Sequence, residues 1–113
     1  MIKLTRGDTK RIKFQRKTRT GEVITKKPGK MYFTVKENYY TTEAVLQKKL
    51  DEGITYSEED NFYYITIEPS DTDGLKYDKY VFDIEVIDGD DKKTILKGVF
   101  VIEEEVTFAE NEV

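Results

Sequence analysis

The sequence contains no cysteine and no histidine. Without cysteine there is no thiolate nucleophile, no zinc finger and no disulfide framework. Without histidine the commonest general base, the usual base of a serine triad and the main imidazole metal ligand are all missing. A disulfide-free chain fits a reducing compartment or an assembly that needs no covalent staple. No run of about 18 apolar residues occurs, so no membrane span is expected. The opening MIKLTRGDTK carries charge where a signal peptide needs its apolar core, so synthesis in the cytosol is expected.

What is present is one domain's worth of chain. At 113 residues it is long enough to bury roughly two-thirds of its unfolded surface. The expectation is one β-sandwich domain over residues 1–108 and an acidic tail over residues 109–113. The net charge of −4 hides a split. Residues 1–50 hold 14 Lys/Arg against 4 Asp/Glu, and residues 51–113 hold 5 against 19. Such asymmetry marks a nucleic-acid patch or a polar self-assembling module, or it means nothing where the two halves interleave in the fold.

The dominant rhythm has period two, the signature of half-buried strands. RIKFQRK sets Ile12 and Phe14 opposite Arg11, Lys13 and Gln15. MYFTVK groups Met31, Phe33 and Val35, and FYYITIE groups Tyr63, Ile65 and Ile67. YVFDIEVI aligns Tyr80, Phe82, Ile84 and Val86, and TILKGVFVIE aligns Leu96, Phe100 and Ile102. Turn residues separate these runs: EPSDTDGL brings Pro69, Asp71 and Gly74, and Asp88-Gly89 signals a hairpin. Gly98 interrupts the last run, where a bulge is expected. Residues 42–50 fit two forms. Thr42 as N-cap with Leu46 and Leu50 four apart reads as a short helix, whereas AVLQKK reads as an edge strand, which the β surroundings favour.

About seven strands with frequent turns and no long helix predict an all-β fold, an immunoglobulin-like antiparallel β-sandwich. Tyr80 followed two residues later by Phe82 has the spacing of the tyrosine corner in such domains, with Phe82 where the second core cysteine would stand.

Arg6-Gly7-Asp8 spells the tripeptide of integrin ligands. The same residues make a turn, with Gly7 permitting a tight bend and Asp8 bonding its own backbone toward Thr9, and the turn is the preferred reading. The acidic clusters SEED, DTDG, DGDD and EEE raise the question of calcium. An EF-hand loop needs Gly at position six and Glu at twelve. DTDG has Gly at four, and the twelfth residue from Asp71 is Phe82. The clusters therefore read as solvated turns. Arg11, Lys13 and Lys17 would share a solvent face suited to phosphate contacts, and Tyr39, Tyr40, Tyr56, Tyr63 and Tyr64 offer a stacking platform for sugars or bases. More often such tyrosines fill sheet faces. No Gly-rich phosphate loop, nucleophile elbow or metal-ligand constellation occurs, so no residue is assigned to catalysis, to a cofactor or to a metal.

Three stretches, IKLTRGDTKRIKF, IEPSDTDGLKYDKYVFDIEV and KTILKGVFVIEEEVT, resemble a class of small phage and prophage proteins of Gram-positive bacteria. The chain is similar, over nearly its whole length, to the N-terminal domains of upper baseplate proteins. The shared motifs are a Gly-Asp-Thr turn, a Pro-x-Asp-Thr turn before a Y-x-(Y/F)-D-I strand, and a hairpin strand ending in VT. This chain has Asp78 where that class commonly has glycine, a place where Asp tolerates a left-handed backbone. Members of the class continue into long C-terminal regions, so a stand-alone version of the module is expected. The resemblance implies a non-enzymatic virion component made in the bacterial cytoplasm, a tail, baseplate or neck protein. Its expected partners are other phage structural proteins and copies of itself, with no membrane and no nucleic acid. Turn roles fall to Gly7, Asp8, Asp71, Gly74 and Gly89, and core or corner roles to Tyr80 and Phe82.

Overall fold

A computed structural model describes residues 1–104. The tail expected over 109–113, and the last residues of the expected domain, lie outside the described residues. Eight strands appear in the order β1 (Ile2–Thr5), β2 (Lys10–Gln15), β3 (Lys30–Lys36), β4 (Leu46–Leu50), β5 (Gly53–Tyr56), β6 (Phe62–Ile67), β7 (Asp78–Asp88) and β8 (Asp91–Glu103). One helical turn, α1 (Pro69–Thr72), precedes β7. The fold is all-β, as the period-two pattern predicts.

The strands form one sheet in the order β1-β8-β7-β3-β4-β5-β6-β2, coiled nearly into a closed barrel. One expectation needs correction. The eight strands agree with the expected number, but the sheet is mixed rather than antiparallel, because β1 runs parallel to β8 and β4 parallel to β5. Alternation fixes which face a residue takes, but it carries no information on the direction of the neighbouring strand.

The inward positions are those the alternation picks out. Met31, Phe33 and Val35 from β3, Ile65 and Ile67 from β6, and Tyr80, Phe82, Ile84 and Val86 from β7 are all buried. The Phe33 ring lies 5.7 Å from that of Phe82 and 6.2 Å from that of Phe100, both tilted, the preferred aromatic geometry. Each such side chain contributes about 1.5–3 kcal/mol by leaving water. Leu96 departs from its neighbours: it pairs with Ile84 yet stays about half exposed.

The segment with two readings resolves to strand over Leu46–Leu50, with no helix there. Gly98 pairs in register with Phe82, and the bulge falls elsewhere, where Ile84 and Glu85 face Leu96 and Thr94 and leave Ile95 extra. Gly98 has a different reason to be glycine, since a Cβ there would stand 3.2 Å from Cε1 of Phe82. Asp78 is not left-handed but opens β7, its carboxylate accepting the Lys79 N–H at 2.7 Å. In the sheet order, β1, β3, β4 and β2 from the basic half alternate in pairs with β8, β7, β5 and β6 from the acidic half. The two halves of the chain therefore interleave in the sheet. Lys48 meets Asp71 at 2.7 Å and Lys92 meets Glu85 at 3.7 Å.

Candidate interaction surface

Arg6-Gly7-Asp8 forms a turn that is welded to the body of the domain. The Asp8 N–H donates to the Thr5 carbonyl at 3.0 Å, closing the bend, and Gly7 sits at φ +86°, which a side chain would strain. The Gly7 N–H donates to Oγ1 of Thr72 at 3.0 Å across 65 residues of sequence. Thr72 is the one buried polar residue among the described residues, fully inaccessible at the end of α1. Arg6 lies over the Tyr77 ring at 4.3 Å and donates to the Leu75 carbonyl at 3.3 Å. The arginine of the tripeptide is thus spent on packing, not presented at a loop tip.

α1 is built by local chemistry. Pro69 starts it with a preset φ and no N–H to satisfy. The Asp71 carboxylate accepts the Glu68 N–H at 2.7 Å and reaches Lys48 on β4. The turn motifs Gly7-Asp8-Thr9 and Pro69-Ser70-Asp71-Thr72 therefore meet in one seam between the β1–β2 turn and the start of β7. Gly74 follows with open space around it. Gly89, at φ +59°, makes the two-residue loop of the β7–β8 hairpin, and Asp88 beside it accepts the Gly29 N–H at 2.9 Å. Tyr80, nearly buried, donates its hydroxyl to the Lys76 carbonyl four residues upstream at 2.9 Å. Burial pushes that phenol above its usual range.

Two of the three candidate phosphate contacts share a face. Arg11 lies 5.4 Å from the Tyr64 ring centre and Lys13 4.3 Å from that of Phe62, so the outer face of β2 and β6 is a cation-over-aromatic surface. Lys17 lies beyond the end of β2, bridged to Val23 in a separate short hairpin. The five candidate tyrosines do not assemble into one platform. Tyr63 is in the core, stacked on Phe14 at 5.1 Å and tilted against Tyr56 at 4.7 Å. Burial raises its phenol above the usual range, with Arg16 opposing the shift. Tyr39 and Tyr40 stand exposed between β3 and β4, and Tyr64 is on the outer face of β6.

Asp60, Asp71 and Asp88, from three of the acidic clusters, accept hydrogen bonds at turns. Asp60 accepts the Tyr64 hydroxyl at 2.7 Å and the Phe62 N–H at 2.9 Å. The Tyr64 hydrogen bond, first among several, holds the Asp60 carboxyl below its usual range, and the same bond raises Tyr64. Among the described residues no three acidic side chains converge into a metal-binding group.

Two features of this surface escaped the sequence. One is the Thr72 seam, whose partners are far apart in the chain. The other is a cleft of about 560 Å³ between the end of β2, the residues after it and the β7–β8 hairpin, lined in part by Phe14, Arg16, Ile24, Ile95 and Leu96. No family model matches the chain, and no curated protein matches it.

Proposed function

We propose that the chain is a non-enzymatic virion structural module of a phage or prophage, a tail, baseplate or neck component that works through protein–protein contacts. The observation that carries this reading is the hydrogen bond from Gly7 to Thr72. It joins the two turn motifs on which the resemblance to upper baseplate N-terminal domains rests, so those motifs are paired parts of one joint.

The finer architecture belongs to the same proposal: an immunoglobulin-like sandwich. Variable-type domains of that fold set strands G, F, C and C′ side by side, with E beside B and D in the other layer. The run β8-β7-β3-β4 has the first order, and β5-β6-β2 has the order D-E-B. The Tyr80 hydroxyl on the Lys76 carbonyl has the geometry of a tyrosine corner at the start of strand F.

A second reading draws on the outer face of β2 and β6. Cations over aromatic rings suit single-stranded nucleic acid, which binds by backbone charge and base stacking. One experiment separates the two. Tagged chain incubated with lysate of induced lysogenic cells is expected to capture tail structural proteins, and fluorescence anisotropy is expected to show no binding of single-stranded DNA at micromolar concentrations in physiological salt. Micromolar DNA binding that Arg11→Glu abolishes, with no tail protein captured, would overturn the structural reading.

A further inference from the structure

We propose that the cleft between the end of β2 and the β7–β8 hairpin seats an extended acidic segment of a partner protein. The segment pairs with the free edge of β8, lays an apolar side chain on the cleft floor and sets a carboxylate on Arg16. The inference rests on the reading that the module works through protein contacts, and it names the site and the chemistry of one such contact.

The cleft has fixed walls. The residues after β2 double back as a short hairpin, with the Ile24 N–H on the Arg16 carbonyl at 2.9 Å and the Thr18 N–H on the Glu22 carbonyl at 2.8 Å. That hairpin is one wall, and β8 is the other. Phe14 is stacked on the buried Tyr63 at 5.1 Å, which anchors the floor in the core. Ile24, Ile95 and Leu96 complete an apolar lining. Consecutive strand residues normally face opposite sides, and the bulge at Ile95 lets both Ile95 and Leu96 line the same cleft. The volume of about 560 Å³ falls within the roughly 300–1,000 Å³ of ordinary binding clefts.

The charge around it has one sign. Arg16, Lys17, Arg19 and Lys93 line the cleft, and no acidic side chain of the described residues does. The Nε of Arg16 is buried with no partner in hydrogen-bonding geometry among the described residues. Buried donors are nearly always satisfied. A carboxylate taken side-on by the guanidinium supplies the missing acceptor, in the strongest pairing that group makes.

The backbone of β8 supplies the third observation. One side of β8 pairs with β7 from Asp91 to Ile102, whereas β1 covers the other side only at Phe100–Glu103. Along Asp91–Val99 no described strand lies on that second side, and Lys93, Ile95 and Leu96 of this stretch line the cleft. An unpaired edge takes an added strand through main-chain hydrogen bonds, and the pockets beside it choose which strand.

Together these features select the occupant. An extended acidic peptide uses all three: its backbone on the edge, an apolar side chain on the floor, and carboxylates on the cations. A second copy paired edge to edge would set Lys92, Lys93 and Lys97 against their own kind. A nucleic-acid strand would answer the cations but forms no β ladder. Its bases need free aromatic faces, and Phe14, the one ring among the described lining residues, is already stacked on Tyr63.

The test uses the full-length chain and a fluorescein-labelled nonapeptide of alternating Glu and Val with a central Phe, read by anisotropy. Binding is expected at low salt, weakening as salt rises. Arg16→Gln and Lys93→Glu are each expected to weaken it at least about tenfold, a change of about 1.4 kcal/mol. Lys93 is exposed, so its variant keeps the fold even where Arg16→Gln does not, and denaturation midpoints check both. A peptide with Lys in place of Glu is expected not to bind. N-methylation at alternate positions, in two peptides of opposite phase, is expected to abolish binding in the phase whose N–H groups face β8 and to spare the other. No binding of the Glu peptide, equal binding of the Lys peptide, or indifference to both N-methylated phases would each overturn the proposal. Tighter binding of a single-stranded DNA of equal length would overturn it in favour of nucleic acid. Capture of tail proteins that Lys93→Glu leaves unchanged would sink this contact and leave the assembly reading standing, and peptide binding with no tail protein captured would do the reverse.

Discussion

Thr72→Val is the sharpest probe of the seam that joins the two turn motifs. The substitution keeps the shape and replaces the hydroxyl with a methyl at a site with no exposure. The Gly7 N–H, which donates to that hydroxyl at 3.0 Å, loses its acceptor. A polar group left unsatisfied away from water costs about 1–3 kcal/mol. Gly7 is itself partly exposed, so the lower half of that range is expected. At roughly 4 °C or more for each kcal/mol in a domain near this size, the melting temperature should fall by about 4–8 °C. Thr72→Ser keeps the acceptor and deletes one methyl, at about 1 kcal/mol. Urea denaturation of all three proteins gives the comparison, with equal m values required for a clean reading. If Thr72→Val lies within about 0.5 kcal/mol of wild type, as a neutral surface change would, the hydrogen bond is not what holds the seam and the reasoning from it fails.

Three further outcomes follow from the corner, the strand glycine and the phenols. Tyr80→Phe should cost about 1 kcal/mol through its one bond to Lys76, and Phe82→Ala about 3–5 kcal/mol as a core cavity; a denaturant series in which the second is the milder would contradict the packing. Gly98→Val should destabilise by roughly 1–3 kcal/mol through overpacking, because its Cβ meets a Phe82 ring already held against Phe33; a rise in melting temperature would show that the ring has room to move. In a spectrophotometric pH titration, Tyr63, Tyr64 and Tyr80 should ionise above the ordinary phenol value, the first and last through burial and Tyr64 through its hydrogen bond to Asp60. Because their folded-state values are raised, their stabilising contribution is fully present below the unfolded value of about 10 and is lost as pH rises through the folded values; a single titration step at the ordinary phenol value would refute this.

Much of the core was legible because a period-two pattern fixes the face of each residue. Met31, Phe33, Val35, Tyr80, Phe82, Ile84 and Val86 are inward as that pattern requires. The hairpin at Gly89 was readable from Asp-Gly. Pairing direction was not, since the parallel contacts of β1 with β8 and of β4 with β5 depend on the path of the whole chain. Gly98 was misread for a definite reason: a strand glycine marks either a bulge or a close approach, and only the position of the Phe82 ring tells which. The true bulge at Ile95 carries no residue signal of its own. Of the candidate surface, Arg11 and Lys13 were found as a pair, whereas Tyr63 went to the core because an aromatic with a polar tip fits either side of a sheet. The charge split was visible in sequence, but the interleaving of the two halves of the chain in the sheet depends on strand order, which the sequence does not show.

Under the proposed function, the chain is a built-in part of a virion. Quantitative mass spectrometry of particles purified through a density gradient after prophage induction tests it directly. The chain is expected in the particles at a fixed copy number relative to the tail proteins, retained through high-salt washing. A chain that is abundant in the lysate and absent from the purified particles would contradict it.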